Sequence, residues 1–314
     1  MRKRQKIYDQ YWEFAFERQE TFFKKLIGVD PYTQDLIIRE YKFCNTYRAS
    51  DRVSQFLISK VIYSGKYDEL DILFRIFLFR LLNKSETWKL LEEKLGDIRL
   101  NNFSFELYSK VLNEIRELQP IYGNAFILCA NKLFGYDRKH ENHLALLENV
   151  FIKTNKGKGL VDSESLKELF ENLRALPLIG DFMAYQIAVD FNYSEVFDFS
   201  ENDFTIAGPG AVRGIRKCFE NIGDKGNDYV IKYMVENQNK EFERLGLKFR
   251  NLFGRPLHAI DCQGLFCETD KYTRVAFPEL KSNRKKIKAK YKPTGKSINL
   301  FYPPKWKIND GIRL

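Results

Sequence analysis

Residues 176–187 read LPLIGDFMAYQI, and residues 201–215 read ENDFTIAGPGAVRGI. Leu176, Pro177, Ile179, Gly180, Ala184 and Ile187 fill the pattern L-P-x-h-G-x-x-x-A-x-x-h, in which a tight turn joins two helices. A helix-hairpin-helix of this kind points the free N–H groups of its second helix at a phosphate, and glycine lets the backbone come close. Leu178 stands where many such hairpins carry a further glycine, and the string also fits an ordinary helix–turn–helix. Asp203 follows Ala184 by 19 residues. A carboxylate near an anomeric carbon can stabilise an oxocarbenium-like sugar or activate water, which is the chemistry of N-glycosidic bond hydrolysis. Asp203 is the first catalytic candidate, with Asp198 and Glu201 as alternates and Asp181 and Asp190 on the hairpin helix. Taken alone, Asp203 also reads as a helix cap or a surface charge.

Gly208, Pro209 and Gly210 precede a helix and offer close backbone approach to DNA or a base, with Arg213 placed to bind phosphate; a plain loop and N-cap is the competing reading. The TGKS at 294–297 is not a P-loop, because the required upstream glycine position holds Lys290. His140 and His143 form an isolated HxxH without further ligands at metal spacing, so no metal is expected. The five cysteines include no CxxC pair and read as reduced thiols of a cytoplasmic protein. No cofactor, nucleotide or otherwise, is called for.

Lys and Arg exceed Asp and Glu enough to give a net charge of +10. A basic chain of this kind suggests nucleic acid as partner, since neutralising phosphates releases counterions. The N-terminus MRKRQKIYDQ is not followed by an apolar core, which argues against a signal peptide. The most apolar run, residues 72–82, is broken by Arg75 and Arg80 and is too short to span a bilayer. A soluble monomer is the expectation.

Helical periodicity must position these groups. Tyr8, Tyr11, Trp12, Phe16 and Phe23 mark an amphipathic opening helix that ends before Asp30-Pro31. Further helices are predicted near 33–42, 51–63, 69–82, 104–118, 121–133, 142–152, 164–174, 181–190, 211–221, 226–246 and 259–269, with no βαβ alternation. The fold class is therefore all-α, in two lobes over 1–280 with the boundary near 153–160, where KTNKGK is polar and basic. Residues 281–296 hold eight Lys or Arg and no acid, followed by FYPPKWK. Residues 281–314 read as a basic aromatic arm facing DNA, through Arg284, Lys285, Lys286, Lys288 and Lys290, or as a solvated tail.

Three blocks, KFCNTYRASDRVSQFL (42–57), LFRIFLFRLLNKSETW (73–88) and AIDCQGLFCETDKYTR (259–274), carry a family resemblance. Together with the hairpin they resemble the group containing the alpha-glutamyl/putrescinyl thymine pyrophosphorylases and the helical domain of 5-hydroxymethyluracil DNA kinases, over roughly residues 35–275. The resemblance implies a derived, all-helical, helix-hairpin-helix branch of the DNA glycosylase superfamily associated with hypermodified pyrimidines of phage DNA. It also implies a base flipped out of duplex DNA. The matching positions are Asn45, Arg48, Asp51, Arg80, Asn83, Tyr122, Asn124, Asp203, Asp261, Glu268, Lys271 and Tyr272. Asn45, Asn124, Gln186 and Gln263 have the two-sided hydrogen bonding that a pyrimidine edge needs. Arg48 and Arg80 would neutralise a phosphate or substituent, although Arg80 also fits a core pair with Asp51 or Glu268, and Glu268, Lys271 and Tyr272 also fit a structural network.

Phe182 stands where bifunctional glycosylases carry a Schiff-base lysine, and no P-loop accompanies the helical part. The expectation is therefore a monofunctional DNA glycosylase that excises a modified pyrimidine, such as glycosylated hydroxymethylcytosine or a modified thymine, from phage DNA in a defence role. It would leave an abasic site without lyase cleavage, and no kinase domain is expected. The alternatives are a base-modifying transferase or pyrophosphorylase of a thymine hypermodification pathway, taking an amino acid or polyamine as second substrate, and a non-catalytic modified-DNA-binding module.

Overall fold

The computed structural model describes residues 1–125, 128, 130–280, 289–293 and 299–312. Among them lie α1 (Gln5–Leu26), α2 (Leu36–Glu40), α3 (Arg52–Phe56), α4 (Glu69–Leu82), α5 (Ser85–Leu95), α6 (Phe105–Leu118) and α7 (Lys139–Glu148). Then follow α8 (Lys156–Val161), α9 (Leu166–Arg174), α10 (Asp181–Phe191), α11 (Pro209–Cys218), α12 (Asn227–Arg244) and α13 (Ala259–Ala276). The one sheet among the described residues pairs β1 (Arg2–Lys3) antiparallel with β2 (Phe219–Asn221). The protein is thus mostly helical, as expected. No described helix is long and apolar enough to cross a membrane.

The chain divides into two compact units, Met1–Arg52 with Glu201–Leu314, and Val53–Ser200. In the first, α1 buries Tyr8, Tyr11, Trp12, Ala15 and Phe22 on one face. Tyr11 and Trp12 pack against Phe266 of α13 and Phe242 of α12, with ring centroids 4.6 and 5.1 Å apart. Helix α11 crosses α13 closely enough that a Cβ on Gly214 would lie 2.0 Å from the Phe266 carbonyl oxygen. Glycine is required there by backbone proximity. The described C-terminal segments dock onto this unit. Tyr302 is fully buried with its hydroxyl 2.9 Å from Ser50 Oγ, and the Arg255 guanidinium sits 3.6 Å above the Trp306 ring.

In the second unit α4 is central, with residues 73–82 all buried. Asp68 caps its start by accepting from Asp71 N, and Asn83 ends it in the left-handed conformation at φ 50°. Buried Arg75 donates to the Val61 and Ile98 carbonyls at 2.8 and 2.5 Å. One of these belongs to the π-helical turn Leu57–Ile62, whose wider winding leaves carbonyls without helical partners. The boundary expected at 153–160 falls inside this unit, because residues 156–161 form α8 and Gly157 lets it pack on Phe151. The helix expected at 121–133 is absent from the described residues of that stretch, while α5 was not anticipated.

Candidate functional site

The loop of residues 42–51 closes against α13 in the first unit. On α13, Asp261, Glu268 and Tyr272 recur at helical spacing on one face and are buried. Glu268 accepts from Cys44 N at 3.2 Å and pairs with Lys271 Nζ at 2.5 Å. Asp51 accepts from Asn45 N at 2.8 Å, and Asn45 Nδ2 donates to Ser50 O at 2.8 Å. Arg18 of α1, 8% exposed, reaches in to donate to Asn45 Oδ1 at 2.7 Å. Asp261 accepts from Arg48 N and His258 N at 2.9 and 3.1 Å, so it fastens the loop to the start of α13. Tyr272 donates to Asp35 Oδ2 at 2.7 Å, and Asp35 in turn caps α2. Gln263 is buried on the same helix.

Electrostatics in this cluster follow from burial. It pushes the Asp51 carboxyl up to about 6, against the pull of the Asn45 N–H and the Arg18 charge. It pushes Asp261 up to about 7 despite its two N–H donors. Burial lowers an ammonium, yet the Glu268 carboxylate outweighs it at Lys271, which is held well above its usual value. Among the described residues no group of His, Cys, Asp and Glu could hold a metal ion.

The second unit assembles the other matched positions. Arg80 forms a buried ion pair with Asp190 of α10, its Nη2 3.0 Å from Oδ1, and donates to Asn83 Oδ1 at 2.7 Å. Its partner is thus neither Asp51 nor Glu268. Asn83 Nδ2 bonds Ala125 O at 2.9 Å, and Gly123 N bonds Leu82 O at 2.9 Å. These bonds tie the 121–125 loop to the end of α4. Tyr122 Oη lies 3.0 Å from His143 Nδ1, while Asn124 is exposed. Burial, with the Lys139 and His140 charges, lowers His143 to about 3. Gln186 is buried one turn before Asp190.

The remaining expectations meet the structure unevenly. Helices α9 and α10 pack as a helix–turn–helix, but the left-handed residue of the turn is Leu178 at φ 68°. Gly180 has φ −87° and open space where a Cβ would stand. Asp203 is exposed in a turn, and its carbonyl accepts from Lys232 Nζ at 2.6 Å. Glu201 is committed to Arg255 at 2.5 Å, and Asp198 is exposed. Close approach at Gly210 is real, but it serves α13, since a Cβ would lie 2.4 Å from Cys267 Sγ. Gly208 is the N-cap residue of α11. Arg213 pairs with buried Asp270 at 3.0 Å. Lys290 bridges to Tyr41 and pairs with Glu40 at 3.1 Å, whereas Arg284, Lys285, Lys286 and Lys288 lie outside the described residues.

The family model described as "5-hmdU DNA kinase, helical domain" matches residues 5–282. The chain belongs to that family. It is 26% identical over 290 residues to a 5-hmdU DNA kinase of Bacillus phage SP10. The aligned region covers 85% of this chain and 45% of the phage protein, so the chain spans about half the length of the curated relative it matches. No solved structure matches it.

Membership in the kinase helical-domain family overturns the expected DNA glycosylase. A kinase is a transferase, and the hydrolytic role read for Asp203, Asp198 and Glu201 falls with the base-excision reading. Sequence reasoning passed over Arg18, which the structure places in this polar cluster through its bond to Asn45. Arg18 lies on the apolar stripe of α1, seven residues after Tyr11, and a cation at that register was the available signal.

Proposed function

We propose that this chain is the helical, base-handling part of a transferase that modifies a thymine-derived base in DNA, within a thymine hypermodification pathway. The observation that carries the reading is the family match over residues 5–282, within which Asn45, Asp51, Glu268 and Lys271 belong to one polar cluster. The relative's name points to 5-hmdU in DNA as acceptor. In this reading Asn45 pairs with the base edge, and Asp51, held near neutrality by burial, takes the proton from the attacking hydroxyl or amine. Lys271, kept protonated by Glu268, faces the negative charge that develops on the phosphoryl or leaving oxygen. Basic surface charge holds the duplex.

The test uses duplex DNA carrying 5-hydroxymethyluracil, free or esterified with phosphate or pyrophosphate. It is incubated with the protein and nucleoside triphosphates, amino acids or polyamines, then digested to nucleosides and weighed by mass spectrometry. A mass change on the base, at least tenfold slower with Lys271→Met, is expected. Release of free base, or no mass change with any co-substrate, overturns the proposal.

A further inference from the structure

Arg18 is a buried cation without an ion-pair partner among the described residues. Its side chain donates to a neutral amide oxygen, Asn45 Oδ1, and Nη1 is sealed from solvent with no hydrogen-bond partner. No carboxylate stands within ion-pair distance among the described residues. Asp51 and Glu268 act on it through space, yet Asp51 accepts from Asn45 N, and Glu268 is taken by Lys271 and the Cys44 N–H. Leaving a guanidinium donor buried and unpaired costs more than most folds tolerate without compensation.

A second cation lies two turns along the same face. Lys25 Nζ sits 3.9 Å from the ring centroids of both Tyr32 and Tyr291, and it has no ion pair among the described residues. Burial, then the charges of Arg18 and Arg52, lowers it to about 8. Positive charges therefore crowd together here. Tyr291 is brought to the spot by backbone, through Tyr291 N bonding Glu40 O at 2.8 Å.

We propose that Arg18 and Lys25, walled by Tyr32 and Tyr291, form a binding site for a phosphate-class oxyanion. The planar guanidinium fork, with Nη1 lacking a hydrogen-bond partner, suits tetrahedral phosphate oxygens, and Lys25 supplies the second charge. The phosphate belongs either to the DNA backbone or to a free or base-linked phosphoryl group. The inference concerns binding alone and does not rest on the transfer chemistry above.

Thermal unfolding of the full chain with inorganic phosphate, against chloride at matched ionic strength, tests the site. Phosphate is expected to raise the wild-type midpoint by several degrees, and Lys25→Met and Arg18→Met are expected to weaken phosphate binding at least tenfold. Because Arg18 has no ion pair among the described residues, unliganded Arg18→Met should melt no lower than wild type; should it fail to fold, Lys25→Met decides. The salt dependence of DNA binding identifies the source. A log–log slope reduced by about one in Lys25→Met assigns a backbone phosphate, whereas an unchanged slope with lost phosphate protection assigns a free or base-linked one. The proposal is overturned if wild type gains nothing from phosphate over chloride, or if Lys25→Met keeps the gain.

Discussion

Replacing Gly214 with alanine tests the packing that sets α13, and with it Asp261, Glu268, Lys271 and Tyr272. The new Cβ would lie 2.0 Å from the Phe266 carbonyl oxygen and 2.6 Å from its carbon, both backbone atoms that no rotamer change can move. Ordinary contact begins at 3.4 Å, so α11 and α13 must part by about 1.4 Å somewhere along their crossing. Overpacking of this kind costs about 1–3 kcal/mol, and a backbone clash belongs at the upper end. Alanine recovers about 1 kcal/mol through helix propensity, which leaves a net loss of about 2 kcal/mol. For a unit of this size the melting temperature should fall by roughly 4–8 °C. Circular dichroism melts of Gly214→Ala and Gly264→Ala make the comparison internal. A Cβ at Gly264, on α13 itself, meets nothing within 4 Å, so that change should stabilise by up to about 1 kcal/mol. Two variants moving in the same direction, or Gly214→Ala melting at or above wild type, would refute the reasoning.

Two further outcomes follow from buried charge in the second unit. Arg80→Met should cost about 3–5 kcal/mol, because it removes the ion-pair partner of fully buried Asp190; a double-mutant cycle with Asp190→Asn should recover part of that loss in urea unfolding, and additive effects would deny the coupling. His143 binds protons less tightly folded, at about 3, than unfolded, near 6.5, so the folded state carries fewer protons between those values. Stability is therefore full above pH 6.5 and is lost as pH falls toward 3, by on the order of 3–5 kcal/mol. Urea midpoints at pH 7 and pH 4.5 should show the loss and His143→Phe should reduce it, while an NMR titration of His143 near pH 6.5 would contradict it.

Much of the fold was legible because long amphipathic patterns leave little choice. Helices α1, α4, α6, α9, α10 and α12 follow their apolar periodicity, and α4 is apolar nearly all round because it is central. What escaped was set by tertiary contact. Residues 153–160 are polar and glycine-containing, which reads as a linker, but Gly157 there serves close packing on Phe151. FYPPKWK looked like part of an arm, yet Tyr302 and Trp306 are a buried ring and an arginine platform. Among the positions matched to the family, Asn45 bonds Asp51, Glu268 pairs with Lys271, and Arg80 bonds Asn83. Spacing could not separate one cluster from the other, and the core pair offered for Arg80 as an alternative forms with Asp190.

The hairpin and Asp203 illustrate how a motif can be locally right and chemically misleading. A turn of the expected kind joins α9 to α10, but its left-handed residue is a leucine, and the carboxylate downstream stands exposed in a turn. Hydrolysis of a glycosidic bond needs a carboxylate held against the sugar, away from water that would screen it. The carboxylates gathered beside α13 have different company. Asp51 and Glu268 sit with Arg18 and Lys271, and Asp261 is spent on two backbone N–H groups. The proposed transfer needs negative charge stabilised on a transferring group, whereas an excision site must stabilise positive charge on a sugar. That opposition in sign agrees with the family match, and it makes Lys271→Met the variant whose effect on base modification separates the two chemistries.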